Sequence, residues 1–102
     1  MTERRLIQRL ENFAQRKNIY CIWLNMDPTY IPVVSTQDRV IFMNKNWKEK
    51  NKNAYALAYL IEGILHNTTS VSEIDKYVQY LLKEIKNDSI IVMDKIIKTR
   101  KE

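Results

Sequence analysis

Glycine and proline are scarce: the 102-residue chain holds one of the first and two of the second. So few chain breakers leave little room for flexible linkers, and no low-complexity run or internal repeat is present. Cysteine occurs once, as Cys21, which excludes an internal disulfide and fits a reducing, cytoplasmic setting. Within the run Ile19–Leu24 it reads as a small core residue rather than a nucleophile. Histidine also occurs once, as His66, which is a poor start for a zinc site. Long apolar runs are absent. The opening MTERRLIQRLENF does not read as a signal peptide, and no segment approaches the roughly 18 apolar residues of a membrane span.

What is present is an apolar fraction of 45%, enough for a packed core in one domain spanning residues 1–102. The net charge of +5 admits nucleic acid or an acidic protein as partner, and equally a well-solvated surface. Thr2 can cap a first helix through about Lys17, with Glu3 placed where the helix dipole favours an anion. Leu6, Leu10, Phe13 and Ala14 form its apolar stripe, and Asn18 is suited to end it.

The continuous run Ile19–Leu24 is the pattern of a strand covered on both faces. A turn at Asn25–Thr29 leads to a short strand, Tyr30–Val34, which Pro32 assigns to a sheet edge. Ser35–Asp38 turns the chain into a third strand, Arg39–Met43. Short turns between three strands predict a small, mainly antiparallel sheet, and with the helices an α+β fold.

A basic stretch follows, carrying Lys45, Lys48, Lys50 and Lys52 around Trp47. Trp47 has two open readings: a ring that stacks on a base or anchors a protein interface, or one folded onto the core. Asn51 or Asn53 can cap the next helix. Ala54, Leu57, Ala58, Ile61, Ile64 and Leu65 form its buried stripe, while Tyr55, Tyr59, Glu62 and His66 share another face. Gly63 inside that helix costs roughly 1 kcal/mol against alanine, so a close neighbour is expected beside it.

After His66, Ser70 and Glu73 have capping-box spacing for a third helix ending near Lys86, with Val71, Ile74, Val78, Leu81, Leu82 and Ile85 as its stripe. Asn87-Asp88-Ser89 reads as a break before Ile90–Arg100, either a last helix burying Ile90, Met93, Ile96 and Ile97 or a strand at SIIVM. The basic end over residues 98–102 is expected to fray.

The stretch from Val40 to Leu82 resembles the ImmA/IrrE family of zinc metallopeptidases. In that family a strand ending I-x-x-N precedes a core helix F-x-x-A-H-E-x-x-H, and a later helix E-A-N-x-F-A-x-x-L-L supplies the third zinc ligand. Here Ile41-Phe42-Met43-Asn44 is similar to the strand end, Tyr55 stands at the aromatic position and Ala58 at the alanine. Tyr59, Leu60 and Gly63 stand at the first histidine, the glutamate and the second histidine. Glu73 matches the third ligand, and Leu81-Leu82 the leucine pair. Peptidase chemistry needs both imidazoles for the metal and the glutamate for the proton of its bound water. The resemblance therefore implies the fold without the activity: a pseudo-enzyme with no cofactor.

Family members occur in phages and mobile elements and act on repressors. The resemblance thus implies a protein partner, either a repressor or a host defence protein such as a CRISPR nuclease. The interface candidates are Trp47, Tyr55, Tyr59, Glu62 and His66. Two alternatives stay open. One is a basic nucleic-acid-binding module using the lysine stretch. The other is a relocated metal site sharing Glu62, His66 and Glu73, although Glu73 also has a plain capping role. The oligomeric state is left open.

Overall fold

The computed structural model describes the backbone of residues 2–101 and the side chains of residues 2–87. The chain is an α+β fold: helix α1 (Glu3–Arg16), strands β1 (Tyr20–Leu24), β2 (Val33–Ser35) and β3 (Val40–Asn44), then helices α2 (Asn53–His66) and α3 (Val71–Lys101). Thr2 caps α1 by accepting the Arg5 N–H at 3.2 Å. Leu6, Leu10 and Ala14 are its buried stripe. Asn18, at φ 59°, turns the chain in the left-handed region and delivers buried Ile19 to the core at the threshold of β1.

The sheet is mixed, which corrects the mainly antiparallel expectation. Strand order is β1-β3-β2, with β1 parallel and β2 antiparallel to β3. The cause is the link between β1 and β2. Residues 25–32 are too many for a tight hairpin. They carry the chain past the place β3 will occupy, and the 36–39 turn then returns β3 between its neighbours. Pro32 lies just outside β2, and β2 is an edge strand as Pro32 indicated.

The helices lie on one face of the sheet. Ile41 and Met43 of β3 are fully buried there with Leu10, Leu57, Ile61 and Val78. β1 is covered on that side only: Tyr20, Ile22 and Leu24 are exposed, while Cys21 and Trp23 pack toward the core. The both-faces expectation for this strand is therefore corrected. An edge strand with helices on a single side buries every second residue.

A 3-10 turn at Lys50–Lys52 leads into α2, and neither asparagine caps it. Glu3 Oε1 instead accepts the Ala54 N–H at 3.0 Å, so the acidic residue in the first turn of α1 also serves the start of α2. The Asn53 Oδ1 is buried without a hydrogen-bond partner. Asn67, at φ 47°, closes α2.

The Ser70–Glu73 capping box does not form. Thr68 instead accepts the Ser70 N–H at 3.1 Å and donates its hydroxyl to Glu73 at 3.2 Å, so the Glu73 carboxylate is held just ahead of the helix. α3 then runs unbroken through Asn87-Asp88-Ser89 to Lys101, so two helices follow the sheet, and SIIVM is helical rather than a strand. A polar triplet inside a helix costs only tenths of a kcal/mol per residue, about what continued backbone bonding recovers. Burial of Ile90, Met93, Ile96 and Ile97, and fraying of residues 98–102, lie outside the described residues. The Arg9 guanidinium donates to the Ile85 carbonyl at 3.1 Å, tying α1 to α3.

Candidate functional site

The site grows from the end of β3. Asn44 is fully buried, and its side chain makes four hydrogen bonds. Its amide donates to the carbonyls of Asp27 at 2.7 Å and Tyr30 at 3.0 Å. Its Oδ1 accepts the N–H groups of Met26 at 3.3 Å and Asn46 at 2.9 Å. One side chain thus pins the 26–30 loop to the turn after β3. Asp27 tightens the same loop by accepting both the N–H and the hydroxyl of Thr29, bonds that hold its carboxyl below the usual range.

Held this way, the loop presents Ile31 and Pro32 opposite α2. Between them lies an open groove of about 390 Å³, walled by Ile31, Pro32, Trp47, Tyr55, Tyr59 and Leu60, with Lys52 at one end. A larger hollow of about 590 Å³ beside α1 is lined mainly by polar and charged side chains such as Glu3, Arg4 and Glu11. The groove is the more apolar of the two, the character expected of a binding site.

The face of α2 that carries Tyr55, Tyr59, Glu62 and His66 divides in two. Tyr55 and Tyr59 lie with ring centroids 6.2 Å apart and line the groove. The Tyr55 hydroxyl donates to Asp75 of α3 at 2.6 Å, and that bond, helped by partial burial, pushes its pKa up to about 12. Glu62 and His66 turn away from the groove. Glu62 is 6% exposed, and its carboxylate pairs with His66 Nε2 at 2.9 Å. Burial pushes the Glu62 pKa up, and His66 opposes that shift. The His66 ring stacks on Tyr77 of α3, centroids 3.5 Å apart.

Trp47 is 8% exposed, so of its two readings the structure realises the folded-down ring, with an edge left in the groove wall. Lys45, Lys48, Lys50 and Lys52 are all exposed. Tyr59 and Leu60 also border a second cavity of about 180 Å³ that reaches Gly63, Val34 and Thr69. A Cβ added at Gly63 would meet Ile74 Cδ1 at 3.8 Å and Thr68 O at 3.9 Å, ordinary contact distances. Among the described residues, the close neighbour expected beside this glycine is therefore not there.

Glu73 is exposed and engaged with Thr68. Among the described residues, no group of three or more His, Cys, Asp or Glu side chains comes together in a metal-holding arrangement. Among the same residues, no helix is long and apolar enough to cross a membrane. Burial, with the Glu11 carboxylate adding to it, pushes the Cys21 thiol up to about 11, which keeps it protonated and a weak nucleophile at neutral pH.

Trp47, Tyr55 and Tyr59, singled out in the sequence, line this groove, and so do Ile31 and Pro32, whose loop the sequence marked only as turn and strand. The sequence did not show the anchoring part played by Asn44. The signal available was a strand-end asparagine followed by further turn-forming residues, which indicates a local bond without indicating which loop receives it. No family model matches the chain, and no curated protein matches it.

Proposed function

We propose that this chain is a non-catalytic protein-binding domain on a peptidase-like fold, of phage or mobile-element type, and that its partner docks in the groove between the Ile31-Pro32 loop and α2. The observation that carries this reading is the lining. At the positions where the resemblance puts a histidine and the catalytic glutamate, Tyr59 and Leu60 form an apolar wall, joined by Tyr55, the edge of Trp47 and exposed Ile31. Aromatic and aliphatic side chains beside an exposed lysine are the composition of a protein hot spot with a charged rim. A repressor or a host defence protein such as a CRISPR nuclease is the partner class the resemblance implies.

The test is capture of the partner from host lysate, followed by titration against Tyr59→Ala, Ile31→Ser and Lys48→Ala. Loss of a hot-spot side chain costs about 2 kcal/mol or more, roughly thirtyfold in affinity. Lys48→Ala should mainly slow association and soften the salt dependence. If both groove variants bind like wild type and the lysine variant fails, the basic stretch is the interface and nucleic acid becomes the better partner.

A further inference from the structure

The outward face of α1 is made of arginines and amides. Arg4, Arg5, Gln8, Asn12, Gln15 and Arg16 are all exposed. At about 100° per residue, Gln8, Asn12 and Gln15 form the middle of this face, with Arg4 to one side and Arg5 and Arg16 to the other. The carboxylates of the helix lie off it. Glu3 is engaged with the Ala54 N–H, and Glu11, at the border, is half-buried toward Cys21. The outer face of α3 differs: its exposed Glu73, Lys76, Lys83 and Glu84 mix both signs, the usual pattern of a solvated surface.

Helix stability does not account for Arg4 and Arg5. Both stand in the first turn of α1, where the positive end of the helix dipole disfavours cations. Arg5 and Arg9 are four apart, a like-charge pair that destabilises a helix. Arg9 reaches the Ile85 carbonyl, but among the described residues Arg4, Arg5 and Arg16 make no ion pair. The buried acid of α2, Glu62, has His66, Glu84 and Lys17 as its charged neighbours and no α1 arginine. An open hollow of about 520 Å³ lies between Thr2, Arg4, Arg5 and Gln8. A polyanion would offset both the dipole and the repulsion. The face also selects among polyanions. It carries no aromatic ring, since Phe13 packs on the core with the Lys17 ammonium over it, so the bases of a single strand have nothing to stack on. A 14-residue helix, about 21 Å long, fits the major groove of DNA, whereas that of duplex RNA is too deep and narrow for side chains to read. We propose that α1 docks in the major groove of duplex DNA, with Arg4, Arg5 and Arg16 meeting phosphates and Gln8 and Asn12 facing the base edges, where amide side chains pair with adenine. This surface shares no residue with the groove between the Ile31-Pro32 loop and α2 and does not depend on the reading given to it.

The probe is a fluorescein-labelled DNA duplex of mixed sequence and two helical turns, followed by anisotropy over a salt series. It is compared with one of its single strands, an RNA duplex of the same sequence and a polyglutamate peptide. Duplex DNA should bind tightest, and its log affinity should fall linearly with log salt. Arg4→Gln with Arg5→Gln should weaken binding by about tenfold or more and lower the salt slope by about 2, since each lost phosphate contact removes about 0.9 from it. The same double variant takes cations out of the first turn, so its thermal melt should stay level or rise, which separates lost binding from lost fold. Lys76→Gln with Lys83→Gln removes equal charge from α3 and should weaken binding less than about threefold. Backbone amide shifts on titration should cluster in α1. Several results overturn the proposal: no binding of duplex DNA at low salt, equal binding of the single strand or the RNA duplex, equal losses from the two double variants, or shifts centred on residues 45–52. Tighter binding of polyglutamate than of DNA would also overturn it and make an acidic protein the partner.

Discussion

The two faces of the three-stranded sheet carry similar residues in opposite surroundings. On one side Ile41 and Met43 are fully buried under α1 and α2. On the other, Ile22, Leu24 and Val33 are 40% to 48% exposed, with no helix over them. Side-chain chemistry does not separate the two sets: both are aliphatic, sulfur-bearing or aromatic. The difference lies in what is stacked above them, and it assigns them different work. The covered side supplies stability, and the open side leaves apolar surface in contact with water.

The largest expected effect tests the covered side. Leu57→Asp or Ile61→Asp buries an unpaired charge in the centre of the helical layer and should abolish the cooperative melt. A melt near wild type would place α2's stripe outside the core. Next comes a matched pair across the sheet. Ile41→Ala should cost about 2–5 kcal/mol in urea unfolding, and Ile22→Ala less than about 1 kcal/mol. Equal losses would mean that the outer face is covered after all.

Asn44→Ala probes the rim where the two sides meet. Losing its four bonds should cost about 2–3 kcal/mol and speed amide exchange over residues 26–30, loosening one wall of the groove. Unchanged exchange there would mean that the loop is held by other contacts.

A smaller effect comes from Glu62, the charge held under the helices. Its folded pKa is raised by burial, so the folded state binds the proton more tightly than the unfolded chain does. Its contribution is therefore fully present below the ordinary value of 4.5 and is lost as pH rises through the raised folded value. Urea unfolding of wild type and Glu62→Gln across that range should show wild type losing stability relative to the variant as pH rises. Wild type gaining stability relative to the variant as pH rises would reverse the sign assigned to this carboxylate.

The smallest is Gly63→Ala, which should stabilise by about 0.5–1 kcal/mol because the new methyl meets only ordinary contacts. A destabilised variant would reveal tighter packing on the covered side than the distances indicate.

Much of the covered side was readable in advance. The stripes Leu6-Leu10-Ala14, Leu57-Ala58-Ile61 and Ile74-Val78-Leu81 repeat at helical spacing, and burial of each followed from that period alone. The groove was half readable. Tyr55 and Tyr59 announced themselves by spacing on α2, but Ile31 and Pro32 reach them only because Asn44 draws the loop across. The α2 cap was not readable at all, since Glu3 lies fifty-one residues from the Ala54 N–H it accepts.

By itself the sequence determined α1, β1, β3 and α2 to within a residue or two, because local periodicity, turn residues and the cap at Thr2 act within a few positions, whereas it set β2 too early and broke α3 at 87–89. It also determined that the described residues offer a single histidine, since composition needs no fold. Only the tertiary structure decided that β1 pairs parallel to β3, that Trp47 turns inward, and that one side of β1 is left exposed. Each of these depends on contacts between segments distant in the chain. A continuous apolar run such as Ile19–Leu24 carries the same pattern whether one face or two are covered, so which face receives the helices is settled only when the layers pack.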